Sequence, residues 1–170
     1  VFAASSLTEA FTEMADAFAA DHPDVNLTFN FAGSGDLFTQ ISEGAPADVF
    51  VSADAANMTR LTDAALNAGA PVTIARNTFE IIVEPGKVKG VVTKVTAGEA
   101  DAGIVFVTDV NAAGNTAEGV QIPAAVNVIS EYPAVITKDA PNPAAAQAFL
   151  EFVAGPAGQA ILATYGFLAP

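Results

Sequence analysis

The sequence has 170 residues, is 52% hydrophobic and carries a formal net charge of −13. That length and apolar content suffice for one good core or two small lobes and exclude a disordered tail. The 19 acidic residues outweigh six basic ones, Arg60, Arg76, Lys87, Lys89, Lys94 and Lys138, which excludes a nucleic-acid partner, because binding one requires a basic surface that releases counterions.

The absence of cysteine removes disulfides, thiol catalysis and cysteine metal sites. The apolar runs are short and broken by Gly, Pro or charge, so a soluble chain with no bilayer span is expected. Val1 to Ala4 reads as a strand already under way, with no basic segment and long apolar stretch before it. Any targeting peptide is therefore expected to have been removed. Leu7, Phe11, Met14 and Phe18 then recur at helical spacing, and Ser6-Leu7-Thr8-Glu9 has the capping-box form, which predicts a first helix starting near Ser6. Asp21-His22-Pro23-Asp24 ends it, and Val25, Leu27, Phe29 and Phe31 alternate as a half-buried strand does.

Ala32-Gly33-Ser34-Gly35-Asp36 predicts a tight turn into a second helix carrying Leu37, Phe38 and Ile41, with Gly44 as its stop. Ala47 to Val51 reads as a buried strand, and Asp54 to Leu61 as a helix with Asp54 at its start. Thr78 to Val83 and Gly103 to Val107 read as strands, with a short helix over Val88 to Ala97 between them. Asn111 to Gly119 has loop composition. Tyr132 to Thr137 predicts a strand, followed by helices from Pro143 to Val153 and Pro156 to Tyr165. Strand and helix signals in alternation predict an α/β layered fold.

An acidic protein still binds a small anion if its site is built from hydroxyls and helix N-terminal N–H groups. Two junctions have that chemistry, Ser5-Ser6 and Gly33-Ser34-Gly35. In a parallel α/β sheet such junctions lie at the carboxyl ends of the strands, where ligands enter. The alternative is that both serines only cap their helices.

Three segments in order, Val1-Phe2-Ala3-Ala4-Ser5-Ser6-Leu7-Thr8, Phe31-Ala32-Gly33-Ser34-Gly35 and Gly44-Ala45-Pro46-Ala47-Asp48-Val49-Phe50-Val51-Ser52-Ala53-Asp54, resemble signatures of the periplasmic molybdate-binding proteins of ABC importers. The likeness continues through Gly98 to Phe106, Tyr132-Pro133-Ala134-Val135 and Gly155 to Phe167, nearly the whole chain. The resemblance implies a type II periplasmic-binding-protein-like α/β architecture with two lobes and a tetrahedral oxoanion, molybdate or tungstate, in the cleft. It implies a discontinuous first lobe, 1–80 and 131–170, and a shortened second lobe, 81–130, with several dozen residues missing near 84–88.

On that resemblance Ser6 and Ser34 match two serines that donate to the oxoanion. Val88 falls where the family uses a backbone N–H, and Phe106 where it usually has a tyrosine hydroxyl; phenylalanine cannot donate. Both residues also fit a plain core role. The resemblance further implies a receptor in the periplasm or otherwise outside the cytoplasm, which a removed N-terminal segment could have anchored to the membrane. A monomer is expected, with the membrane permease subunits of the importer as partners and no cofactor.

Other readings have different signatures. A hydrolase is disfavoured because His22, the only histidine, sits at a helix-ending turn and Gly33-Ser34-Gly35 is not a nucleophile elbow. Asp48, Asp54 and Asp101 lack calcium-loop spacing, so no metal site is expected. A receptor scaffold that has lost ligand binding is the reading favoured by the short middle. A sulfate or phosphate receptor is the other alternative; hydrogen phosphate calls for an acceptor carboxylate, and none adjoins Ser6 and Ser34 in the matched motifs.

Overall fold

The computed structural model describes residues 1–83, 102–114 and 118–170. The Val88 helix and the stretch near 84–88 lie outside these described residues. Strand β1 (Phe2–Ala4) runs through one turn of 3₁₀ helix, Ser5–Leu7, into α1 (Thr8–Asp21). The helical stripe read from the sequence is the buried one: Leu7, Phe11, Met14 and Phe18 are wholly inaccessible. The chain leaves α1 at His22-Pro23, where the imidazole stacks on Phe18 with ring centroids 4.1 Å apart, so His22 closes the helix by packing.

Strand β2 (Asn30–Ala32) pairs parallel to β1, with Ala3 opposite Phe31. The alternating run from Val25 makes no ladder before Asn30. Its pairing reaches back only to the Asn30 N–H on the Val1 carbonyl, and Val25, Leu27 and Phe29 pack against the core as irregular chain. Helix α2 (Ser34–Ser42), β3 (Val49–Val51) and α3 (Ala55–Asp63) follow, and the Asp54 carboxylate caps α3 by accepting the Asn57 N–H at 2.6 Å.

Strand β4 is longer than its sequence signal. It spans Val72–Val83 and serves two neighbourhoods. Its first half, through Thr78, pairs antiparallel with β7 (Ile129–Ile136); its second half, from Phe79, is flanked by β5 (Ala102–Phe106) and β6 (Glu118–Gln121). The sheet order is β2-β1-β3-β7-β4-β5, with β6 also on β4.

The Asn111 to Gly119 stretch is not simply a loop. Residues Val107–Ala113 form helix α4, held at its start by the Asp109 carboxylate on the Phe106 N–H, and Gly119 belongs to β6. The Asn and Gly content masked a helix whose buried contacts come from Thr108, ahead of the polar run. Helices α5 (Pro143–Ala154) and α6 (Pro156–Thr164) complete the chain.

Strand alternation sorts the core into two layers. Val49 and Val51 of β3, with Tyr132 and Ala134 of β7, face α1, α5 and α6; Phe50 and Val135 face α2 and α3. Phe149 joins the first layer by edge-to-face contacts with Phe11 and Phe18, both at 5.6 Å and 88°. A register shift in β4 between Thr73 and Ala75 puts consecutive residues Ile74 and Ala75 into that same layer. The sheet is thus covered on both faces where it carries β1, β2 and β3, and the turns at its edge are held by a rigid frame.

Candidate functional site

Strands β1 and β2 are parallel neighbours, so their carboxyl ends emerge side by side. Ser5-Ser6 follows the first and Gly33-Ser34 the second, and both turns line one cleft of about 400 Å³. Phe79 and Phe106, paired across β4 and β5 and stacked at 4.6 Å, form the opposite wall. The structure thus brings Ser6, Ser34 and Phe106 together; Val88 lies outside the described residues.

Neither serine acts as a helix cap. The capping box expected at Ser6 and Glu9 is absent, because the 3₁₀ turn over Ser5–Leu7 moves the start of α1 to Thr8, with Leu7 as its cap residue and no side-chain cap bond. The Ser6 hydroxyl instead shares a 2.9 Å hydrogen bond with the Tyr132 hydroxyl. Ser34 is the first residue of α2, and its buried hydroxyl accepts the Ala53 N–H at 3.0 Å. The N–H groups of Ser34 and Gly35, at the first two positions of α2, have no acceptor within the helix and carry the positive end of its dipole.

The floor between the walls is a clamped peptide. Ala53 gives its N–H to Ser34, and its carbonyl accepts the Ser130 hydroxyl at 2.6 Å. Ser52 donates to the Asp54 carbonyl at 2.7 Å and accepts the Asp54 N–H at 3.2 Å. Behind the Ser6 side lies a buried polar cluster. Tyr132 and Asn77 are fully inaccessible, and Asn77 Nδ2 donates to Thr108 Oγ1 at 2.9 Å and, over a longer 3.4 Å, to the Tyr132 hydroxyl. Burial pushes the Tyr132 phenol up to about 12, partly opposed by its bonds to Ser6 and Asn77, so Tyr132 keeps its proton.

No carboxylate was expected beside the serines, yet Asp54 and Asp109 both line the cleft. They sit on separate turns that only the tertiary fold brings together. Both Asp54 oxygens are engaged, one by the Asn57 N–H and the other by the Asn57 side-chain amide at 2.9 Å. Asp109 accepts the Phe106 N–H at 3.0 Å, so that N–H is already spent within the chain. Burial raises the Asp109 carboxyl above its ordinary range; the Phe106 N–H opposes this and nearby Glu9 adds to it. Among the described residues no lysine or arginine lines the cleft, so any attraction for an anion comes from N–H and O–H dipoles, against the carboxylates Asp54 and Asp109. Such a cleft can hold a small anion by hydrogen bonds; among the described residues it pairs no nucleophile with a base.

Asn77, Thr108, Ser130 and Asp109 carried no motif, and Tyr132 stood in the matched segment Tyr132 to Val135 without a site role. The nearest signal was Asn77, an amide just ahead of the run read as strand from Thr78, where a polar side chain must find partners once buried.

The sequence profile of the bacterial extracellular solute-binding proteins matches residues 1–94 and 82–168. The molybdate-binding protein ModA of Mycobacterium tuberculosis (strain H37Rv) is 33% identical over 219 aligned positions, which cover 100% of this chain and 84% of that protein. Among solved structures, the periplasmic molybdate-binding protein of Azotobacter vinelandii superposes with a TM-score of 0.82 at 20% identity, covering 99% of this chain and 98% of that one. The sulfate-binding protein SubI of M. tuberculosis H37Rv superposes equally well, with a TM-score of 0.82 at 15% identity over 98% of this chain and 84% of that one. At those identities the two superpositions speak for the fold, that of the type II periplasmic binding proteins, while the sequence match over the whole chain speaks for kinship. This chain belongs to the bacterial extracellular solute-binding proteins and is ModA-like within them.

Proposed function

We propose that this chain captures a tetrahedral oxoanion, molybdate or tungstate, outside the cytoplasm and presents it to the membrane permease of an ABC importer. Solute-binding proteins hold their ligand without transforming it, and the chain is not an enzyme. The observation that carries the reading is the meeting of Ser6 and Ser34, from two separate strand-to-helix turns, in one cleft that no lysine or arginine lines among the described residues. Neutral donors at helix starts suit an anion that has to be released again. The ModA kinship of the whole chain supports the choice of ligand.

In this reading Ser6 and Ser34 donate hydroxyls, the first turn of α2 donates N–H groups, and Phe106 contributes an apolar wall in place of a donor. Residues 1–80 and 131–170 form one lobe and 81–130 the other, with β4 and β7 crossing between them. A shortened second lobe is supported by the 219-position alignment against 170 residues and by a family match that breaks into two pieces overlapping at 82–94. Val88 takes its assigned role as a backbone donor only by the resemblance.

Calorimetric titration with molybdate tests the site. Ser34→Ala removes one charge-assisted bond and weakens binding by about tenfold or more. Unchanged affinity in that variant would remove Ser34 from the site.

A further inference from the structure

We propose that Asn127, which does not line the cleft, is a positioning residue: its side chain fastens the Phe79 wall to the serine-bearing sheet, and anion affinity depends on that fastening. This rests on the oxoanion reading above and adds to it the residue that fixes the spacing of the two walls.

Strand β4 changes partners at Phe79. Strand β7 pairs with it through Thr78, opposite Ile129, and β6 pairs from Glu80, opposite Gln121, with both registers running in the same direction. Because β5 pairs with Phe79 to Val83, β6 holds the other edge of that half. Residues 122–128 leave the sheet between β6 and β7, so Phe79 faces a gap in the ladder. The Asn127 side chain fills it. The Phe79 N–H donates to Asn127 Oδ1 at 3.2 Å, and Asn127 Nδ2 donates to the Phe79 carbonyl at 2.9 Å. A backbone N–H can only donate, which fixes the amide with its oxygen toward that group. One side-chain amide thus makes both bonds that a paired strand residue would make.

The β6–β7 connection touches the sheet mainly through this side chain. It is a tight turn, with the Val126 and Asn127 N–H groups both on the Pro123 carbonyl at 2.9 and 3.0 Å. From Pro123 to Ile129 every residue is exposed except Asn127, and a cavity of about 580 Å³ touches Phe79, Glu80, Pro123 and Ala124 beside it. On the serine side the frame is bonded right up to this point: Thr78 pairs with Ile129, and the next residue, Ser130, holds the Ala53 carbonyl, whose own N–H meets Ser34. Beyond it, the Phe79 ring stacks on Phe106 to form the opposite wall. Without Asn127 the Phe79 N–H and carbonyl turn to water in the cavity, and β4 can bend at that residue. The free protein then spends part of its time with the walls at the wrong spacing, and apparent affinity falls by that fraction.

The experiment titrates molybdate by calorimetry into the wild type, Asn127→Ala and the control Val128→Ala, whose side chain is 65% exposed on the same connection. Asn127→Ala is expected to weaken molybdate binding by about three- to tenfold, and Val128→Ala to leave it unchanged. Amide hydrogen exchange without any anion reads the fastening itself. In Asn127→Ala the Phe79 amide is expected to exchange about tenfold faster or more, while the β4 amides bonded to β7 keep their wild-type protection.

A role in stability alone predicts another pattern, in which protection falls along the whole of β4 together with the melting temperature, and that result overturns the proposal. Weaker binding with Phe79 exchanging as in the wild type overturns it as well. Unchanged molybdate affinity in Asn127→Ala, beside a wild type that binds, removes the proposal and leaves the oxoanion reading standing. If the wild-type chain binds no molybdate, the oxoanion reading itself falls and this proposal with it.

Discussion

The two halves of β4 have the same β-rich composition and different surroundings. In the first half, Ile74 and Ala75 are sealed between β7 and the helices of the larger core layer. In the second half, Ile81 is 37% exposed and stands in one cross-strand row with Ile104, 64% exposed, and Val120, 47% exposed. The first half belongs to a sheet covered on both faces; the second, among the described residues, pairs with β5 and β6 and carries an exposed apolar row. Stability is thus concentrated in one region, while the cleft draws one wall from each: serines from the covered sheet, Phe79 and Phe106 from the open patch.

The comparison is broken most sharply by truncating one residue in each region. Phe149→Ala removes the ring around which Phe11 and Phe18 pack and is expected to cost about 3–5 kcal/mol in denaturant unfolding. Ile104→Ala, on the open row, is expected to cost about 0.5 kcal/mol or less. Equal costs would mean that the open row is covered in solution.

Gly158→Ala probes the covered region from the other direction. An added methyl there would lie 2.4 Å from the Phe152 carbonyl oxygen and 2.6 Å from Val153 Cα, backbone atoms that cannot move aside cheaply. A loss of about 1–3 kcal/mol is expected, read as a lowered melting temperature.

A smaller effect, specific to the cleft, comes from Asp109. Its carboxyl is raised by burial and by Glu9, with the Phe106 N–H opposing. The charged form is therefore the strained one in the folded protein. This group contributes stability below its unfolded value that is lost as pH rises through its folded value. Its negative charge also disfavours an anion in the cleft it lines, which Asp54 shares. Molybdate affinity, measured at micromolar ligand, is expected to rise from neutral toward mildly acidic pH. Asp109→Asn should flatten that profile and tighten neutral-pH binding by about three- to tenfold. A pH profile unchanged by the substitution would place the titration elsewhere.

At the bottom of the scale is the exposed Arg76–Glu131 pair at 3.4 Å, with side chains 39% and 47% accessible. Its removal by double-mutant cycle should register about 0.5 kcal/mol or less.

Much of the covered region was legible because its pattern is local. The helical stripe Leu7, Phe11, Met14 and Phe18, the Asp54 cap, the buried β3 run and the Pro-initiated helices α5 and α6 all follow from spacing and capping chemistry, and all form as read. Ser6 and Ser34 were legible as donors at strand-to-helix turns, but their local roles were not. A capping box competes with a 3₁₀ turn, and the outcome depended on Tyr132, 126 residues away. The extent of β4 was hidden because its first half is specified by pairing with β7. Helix α4 was hidden by asparagine and glycine after its buried residues, and the carboxylates of the cleft by their separation in sequence.

The central claim is that two serine-bearing turns make an oxoanion site. The most direct measurement is the melting temperature of the 170-residue chain with and without molybdate at a hundred times its dissociation constant. Binding to the folded state alone adds about 2.7 kcal/mol, which for a chain of this size raises the midpoint by about 5–10 °C, and the rise should shrink in Ser34→Ala at the same ligand concentration. A midpoint that does not move with molybdate, or that moves equally in the Ser34→Ala protein, would contradict the account.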